Sequence, residues 1–277
     1  MAGQGGIRHE GELRELSVVD AALERDRWIV GAALAGITAV AWAYMVHEAR
    51  AMSATGVCAC MGMQMSGPDV RAWDAGTLLP LFAMWAEMMV AMMLPSAAPM
   101  ILIFSRVSRQ RREGARPFVP VAYFAGGYFA VWTLFSAAAA LLQWLLHGAT
   151  LISPAMATSN RWLGAGLLLA AAIFQWTPLK RACLEHCRSP LAFVMTGWRE
   201  GRAGAFAMGW RHGLYCTGCC WVLMLLLFVA GVMNLVWIAA LSLLVLGEKL
   251  APRAWHLDRW TGAALLGWAL FIATGLA

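Results

Sequence analysis

Residues 213–246 read GLYCTGCCWVLMLLLFVAGVMNLVWIAALSLLVL, without a single charged side chain. A helix needs about 20 mostly apolar residues to cross the ~30 Å hydrocarbon core of a bilayer. The stretch is therefore long enough for one very long helix, or for two successive spans that separate near Gly231 and Asn234. Either interpretation makes the chain an all-α membrane protein, and the charges outside the stretch decide between them.

The rest of the chain repeats this apolar character. Of its 277 residues, 61% are apolar and 13% are charged, against roughly 45–50% and 25% in soluble domains. This composition excludes a disordered chain and an ordinary water-soluble enzyme, and 7 cysteines are too few for a disulfide scaffold. We predict a polytopic transmembrane helix bundle with spans at 28–46, 78–104, 119–146, 162–179, 213–231, 232–246 and 260–277.

The basic residues favour seven spans over six. With seven spans and the N-terminus inside, 18 of the 21 Lys and Arg residues lie on the cytoplasmic side. A single span over 213–246 would change this split to 15 and 6. Because cytoplasmic loops are enriched in Lys and Arg, we predict that the C-terminus lies outside. The formal charge of +6 then reflects topology, so the lipid bilayer is expected as a partner and nucleic acid is not.

The polar segments divide the chain into an N-terminal arm and one transmembrane domain with two long loops. Residues 1–27 are predicted to be a cytoplasmic arm, and 28–277 a single transmembrane domain with an external loop at 47–77 and a cytoplasmic loop at 180–203. No Walker A loop, HExxH, GxSxG or dinucleotide fingerprint occurs in the sequence. That argues against nucleotide-dependent and hydrolytic enzymes, although a membrane redox enzyme remains an alternative.

Cysteine and histidine concentrate near the predicted cytoplasmic face. Within residues 212–220 one His and three Cys stand at i, i+4, i+7 and i+8, on one face of a helix. Two further Cys are four residues apart in 183–187, and share a face if that segment is helical. Thiolate and imidazole are ligands for Cu(I), Zn²⁺ and iron–sulfur clusters; a thiol–disulfide relay or simple packing of small side chains are the alternatives. The predicted metal ligands are Cys183, Cys187, His212, Cys216, Cys219 and Cys220.

The span at 78–104 carries a second candidate metal or pathway site. Met84, Met88 and Met92 recur at steps of four, and Glu87 lies among them. A carboxylate inside a bilayer is costly and by default marks a functional site. A protonated structural Glu, and methionines that only fill gaps in the packing, are the alternatives.

The external loop carries a third group of soft donors. Thiols and thioethers alternate there in a pattern that favours Cu(I) capture. A strained disulfide between the two cysteines, or a methionine-rich loop lying on lipid, would also fit. These residues are Cys58, Cys60, Met61, Met63 and Met65.

Three blocks of the sequence resemble a known family. They are Trp-x-x-Met-x-x-Ala-Met-Met-x-Pro-Ser at 85–96, Gln-x-x-Pro-Leu-Lys-x-x-Cys-x-x-x-Cys-Arg-x-Pro at 175–190, and Cys-x-Gly-Cys-Cys-Trp at 216–221. They resemble the bacterial family of predicted metal-binding integral membrane proteins. The resemblance implies a multi-pass, metal-binding protein of the bacterial inner membrane, and it implies no particular reaction. The external Cys and Met loop lies outside these blocks.

Together these patterns favour a protein that handles a soft metal, with copper as Cu(I) first and Zn²⁺ or an iron–sulfur cluster as alternatives. The metal would be transported, or delivered to another membrane or soluble metal-handling protein. A thiol or metal-centre redox enzyme, and a metal-stapled structural subunit of a membrane complex, are the other functions that the sequence allows.

Overall fold

The structure is a computed structural model that describes residues 4–55, 57–58, 63–64, 75–113, 121–149, 158 and 160–275. The described chain is almost entirely helical. Its helices are α1 Gln4–Thr55, α2 Leu78–Glu113, α3 Val121–Gly148, α4 Arg161–Gln175, α5 Pro178–Arg188, α6 Pro190–Thr196, α7 Gly201–Leu225, α8 Leu227–Ala230, α9 Leu235–Leu250 and α10 Leu257–Thr274. Short 3-10 helices lie at Ala75–Thr77 and Arg253–Trp255, and β1 Val57–Cys58 pairs with β2 Met63–Gln64 in an antiparallel register.

Four segments of the described chain are long and apolar enough to cross a membrane. They are Arg27–Ala51, Leu78–Arg111, Val121–Gly148 and Gly201–Ala230. A fifth arises if α4 and α5, which meet at a bend of 65°, form one broken span. The all-α transmembrane character is thereby supported, while the total of seven spans and the sides of the two termini stay predictions.

The outer surface of the bundle agrees with a lipid environment. Large apolar side chains point outward from the helices, among them Val236 at 80% exposure and Leu243 at 67%. Exposed apolar side chains on membrane-length helices are what hydrocarbon tails cover in a membrane. The methionines and aromatic rings of α2 are instead buried against α1, α3 and α9.

The apolar stretch 213–246 forms separate helices. Gly231 adopts φ 99°, a left-handed conformation that favours glycine, and ends α8. Asn234 then caps α9 through its side chain, which accepts a hydrogen bond from the Trp237 amide at 3.1 Å. The predicted break near these two residues is confirmed. At 16 residues, α9 is shorter than the length that usually spans a bilayer.

Two polar segments differ from their predicted form. The stretch 180–203, predicted to be a cytoplasmic loop, holds most of α5, all of α6 and the start of α7, because Thr177 and two prolines start new helices there. The polar N-terminal arm and the first span are continuous in α1, whose 52 residues begin at Gln4.

Candidate metal centre

The centre forms where α7 packs closely on α3. A Cβ added at Gly127 would lie 2.1 Å from the Phe206 carbonyl oxygen, and one at Gly209 would lie 1.9 Å from that of Phe124. Only glycine permits the two backbones to approach so closely, as small residues do at helix contacts in membranes. This contact places the cysteine face of α7 in the interior, against Tyr128 of α3.

Cys216 lies at the middle of the site. Its Sγ is 3.2 Å from the Tyr128 hydroxyl and 3.0 Å from Nζ of Lys249, which also donates a hydrogen bond to Ser96 Oγ at 2.8 Å. Helices α2, α3, α7 and α9 therefore converge on one thiol. The amine of Lys249 is thus in direct contact with this sulfur, and the Lys249 side chain is buried.

The other two cysteines of α7 adjoin Cys216. The thiols of Cys219 and Cys220 each donate to the Cys216 carbonyl oxygen at 3.0 Å. The side chain of Cys220 is also close enough to those of Cys216 and Cys219 to interact with both. All three cysteines are buried and free, so the predicted face is a contiguous group of thiols.

Helix α5 brings the second pair of cysteines to this group. Cys187 lies close enough to Cys219 for their side chains to interact, and Cys183 packs against α7, where its Sγ would lie 2.8 Å from a Cβ placed on Gly218. Both α5 cysteines are free and half-buried. The two sequence motifs, 183–187 and 216–220, therefore meet in the folded chain.

A buried ion pair holds α5 in this position. Glu248 of α9 accepts hydrogen bonds from Lys180 Nζ at 2.6 Å and from Gln175 Nε2 at 2.9 Å. Arg188 donates to the Glu248 backbone carbonyl at 2.7 Å. Glu248 is hydrogen-bonded to α5, and its neighbour Lys249 is hydrogen-bonded to Cys216 of α7. Two consecutive residues of α9 therefore connect both cysteine-bearing helices.

His212 is buried beside the thiols, and its two ring nitrogens have no hydrogen-bond partner among the described residues. The ring stacks on Tyr128 at 5.4 Å between centroids and meets the edge of Phe193. A buried imidazole with both nitrogens unpaired is costly and keeps its ligand capacity. His186, in contrast, stacks on Tyr215 and lies 2.8 Å from its own helix's Ala182 carbonyl.

Within the described ranges, no three His, Cys, Asp or Glu side chains are arranged so that they could hold a metal ion as they stand. The thiols of Cys219 and Cys220 both donate to the Cys216 carbonyl oxygen, and so they are not directed toward a position that a metal ion could occupy. The residues do fit a soft metal chemically, since free thiols and an unpaired imidazole lie side by side.

The other predicted site residues fall into two groups. Met84, Met88 and Met92 of α2 are buried and Glu87 is half-buried. In the loop that was predicted to be external, the backbones of Cys58 and Met63 face each other across the β1–β2 pair. Three predicted capture residues lie outside the described residues: Cys60, Met61 and Met65.

Sequence reasoning missed Tyr128, Lys249 and the Lys180–Glu248 pair as parts of the site. A signal existed for the charged residues, because Glu248 and Lys249 directly follow an apolar run, where buried charges are costly and usually functional. Tyr128 gave no such signal, since an aromatic residue in a span is ordinary.

Fold and site together define an all-helical protein in which free cysteines cluster among helices of membrane-spanning length. The chain matches the PpoB2 family, described as a copper chaperone, over residues 82–272. It belongs to that family, which confirms the copper-related part of the prediction. The match includes most of α2 and both cysteine motifs, and it leaves out α1 and the loop at 47–77. No curated protein and no solved structure matches the sequence.

Proposed function

We propose that this chain holds Cu(I) at the thiol centre within the membrane and passes it to an acceptor protein that has its own copper site. The observation that carries the proposal is the packing of the α5 motif on the α7 motif: Cys183 lies against Gly218, Cys187 and Cys219 interact through their side chains, and the thiols of Cys219 and Cys220 lie against the Cys216 carbonyl. Thiolates are the ligands that Cu(I) prefers.

The electrostatics of the centre support a monovalent soft cation. Two thiolates and one Cu(I) have a net charge of −1, which is costly in a low-dielectric interior. Lys249, 3.0 Å from the Cys216 sulfur, balances that charge. Binding releases the thiol protons, and rotation of the Cys219 and Cys220 side chains about their Cα–Cβ bonds brings their sulfur atoms toward the metal.

The route of the metal is part of the proposal. Met84, Met88 and Met92 form a buried stripe of thioethers along α2, and Ser96 at the end of this stripe is hydrogen-bonded to Lys249. Cu(I) moves between thioether and thiolate ligands by exchange of ligands. In our proposal the copper is cargo, and its acceptor offers stronger or more numerous ligands.

The test is a metal analysis of the purified full-length protein in detergent. Wild type should bind Cu(I) in stoichiometric amounts when titrated against a chromogenic Cu(I) chelator. The variant Cys216→Ser/Cys219→Ser/Cys220→Ser should lose the tight Cu(I), whereas Cys183→Ser, outside the group of α7 thiols, should lose much less. Equal copper in wild type and the triple variant would refute the proposal. Firmly bound zinc without copper would indicate a structural metal, and a visible absorbance that bleaches on reduction would indicate a redox enzyme.

A further inference from the structure

A cavity of about 50 Å³ lies between α1, α2 and the turn that joins α8 to α9. This volume is enough for a single ion or a few waters. The residues that line the cavity include two carboxylates and four thioethers: Met45, Glu48, Met84, Glu87, Met88 and Met233. Three of these, Met45, Glu48 and Met233, come from outside α2 and were not predicted from its methionine stripe.

Glu48 is the unusual residue of this cavity. It is only 8% exposed, and its Oε2 has no hydrogen-bond partner among the described residues. Glu87 lies close enough to Glu48 for the two carboxylates to interact electrostatically. Two carboxyl groups that face one small cavity in an apolar bundle repel each other when charged. A cation between them would remove the repulsion and supply the missing partner of Glu48.

The thioethers specify which cation fits. Mg²⁺ and Ca²⁺ prefer oxygen ligands alone, whereas thioether sulfur selects Cu(I) among the biological metals. We propose that this cavity is a second Cu(I) site, with methionine sulfurs as the main ligands and the two carboxylates as the balancing charge. The proposal deepens the function proposed above, because it makes this site the entry to the thiol centre.

The position of the cavity fits that role. Glu48 precedes the end of α1 and Glu87 follows the start of α2, so the cavity lies toward the end of the bundle where the connection between these helices emerges. Along α2, Met88 and Ser96 are separated by about 12 Å at 1.5 Å per residue. Met92 lies between them, and Ser96 bonds Lys249 at the thiol centre. The two copper sites therefore lie at opposite ends of the buried stripe.

The experiment uses the full-length protein in detergent and a Cu(I) titration against a chromogenic chelator. Wild type should show a tight and a weaker site. The triple serine variant at 216, 219 and 220 should keep only the weaker site, and adding Met84→Leu and Met88→Leu to it should abolish that site. Met89→Leu is the matched control, because Met89 is equally buried on α2 but does not line the cavity. Leucine conserves the volume of methionine, and gel filtration with circular dichroism verifies the fold of each variant.

The carboxylates are tested separately. In the triple serine background, Glu48→Gln with Glu87→Gln should weaken the remaining site about tenfold or more, since each change removes a charged partner of the cation. X-ray absorption of the copper should show sulfur ligands although the three cysteines are gone. The inference is overturned if the triple serine variant binds no Cu(I), if the methionine variant equals the Met89→Leu control, or if only oxygen and nitrogen ligands are found. Each result is distinct from failure of the thiol centre, in which the triple serine variant would keep all the copper of wild type.

Discussion

Nζ of Lys249 lies 3.0 Å from Sγ of Cys216, in the interior of the bundle. A positive charge beside a binding site for a cation is at first sight unfavourable. The positive charge becomes favourable if the cation binds more than one thiolate, because the complex of metal and thiolates then has a net negative charge. The Lys249–Cys216 contact therefore indicates that more than one thiol loses its proton when the metal binds.

Lys249→Gln tests this directly. If two thiolates bind Cu(I), the change removes the balancing charge and should weaken binding by about tenfold to a hundredfold, the usual scale of a hydrogen bond to a charged group. Competition with a Cu(I) chelator measures the effect. Arg253→Gln, which removes an exposed charge from the segment after α9, is the control. Tighter binding in Lys249→Gln would mean that a single thiolate holds the metal.

The Lys180–Glu248 pair should matter greatly for stability. Glu248→Gln leaves the Lys180 ammonium buried without its carboxylate, and breaking such a pair usually costs about 3–5 kcal/mol. The exposed pair Arg253–Glu185, at 3.8 Å, is a natural comparison; Glu185→Gln should cost about 1 kcal/mol or less. Thermal unfolding of both variants in the same detergent measures the two losses of stability. Equal melting temperatures would contradict our inference that the Lys180–Glu248 pair holds α5 in position.

Two neighbouring glycines on α3 offer a matched pair of variants. A Cβ at Gly127 would collide with the α7 backbone at 2.1 Å, whereas one at Gly126 meets nothing within 4 Å. Gly127→Ala should therefore destabilise the bundle by about 1–3 kcal/mol, the common cost of overpacking, and weaken copper binding by moving Tyr128 away from Cys216. Gly126→Ala should behave as wild type in both assays. A normal Gly127→Ala protein would mean that α3 and α7 are less tightly packed in the membrane.

The predicted topology is tested with reporters fused after Ala277. Seven spans with the N-terminus inside place this end outside, so a periplasmic reporter such as alkaline phosphatase should be active there and a cytoplasmic one inactive. A second fusion in the connection 105–118, which the same topology places in the cytoplasm, should give the opposite result. The reverse result at Ala277 would mean an even number of spans, and α9 with α10 would then need a different arrangement.

The composition of the thiol centre could be predicted because spacing along one helix decides which side chains share a face. Cys216, Cys219 and Cys220 follow His212 by four, seven and eight positions, and all four residues are buried on α7. That Cys187 would reach them was a hypothesis, since contacts between helices depend on packing that periodicity does not encode.

The contacts that the sequence could not predict are those between residues of different helices. Tyr128 and Lys249 are 88 and 33 residues from Cys216, and Glu48 faces Glu87 from another helix. A single sequence contains no record of such pairings. Within the predicted loop 180–203, a helix was considered only for 183–187, because the basic residues there are typical of a loop, although Thr177 and the prolines begin helices.

The backbone contact between α3 and α7 has a consequence for motion. Where two main chains touch with no side chain between them, neither helix can slide or tilt without a steric collision, so this wall of the centre is fixed. The opposite wall is α5, an 11-residue helix set at a 65° bend and held by polar bonds to α9. In the function that we propose, entry and departure of the ion would therefore depend on displacement of α5, which carries the half-buried Cys183 and Cys187.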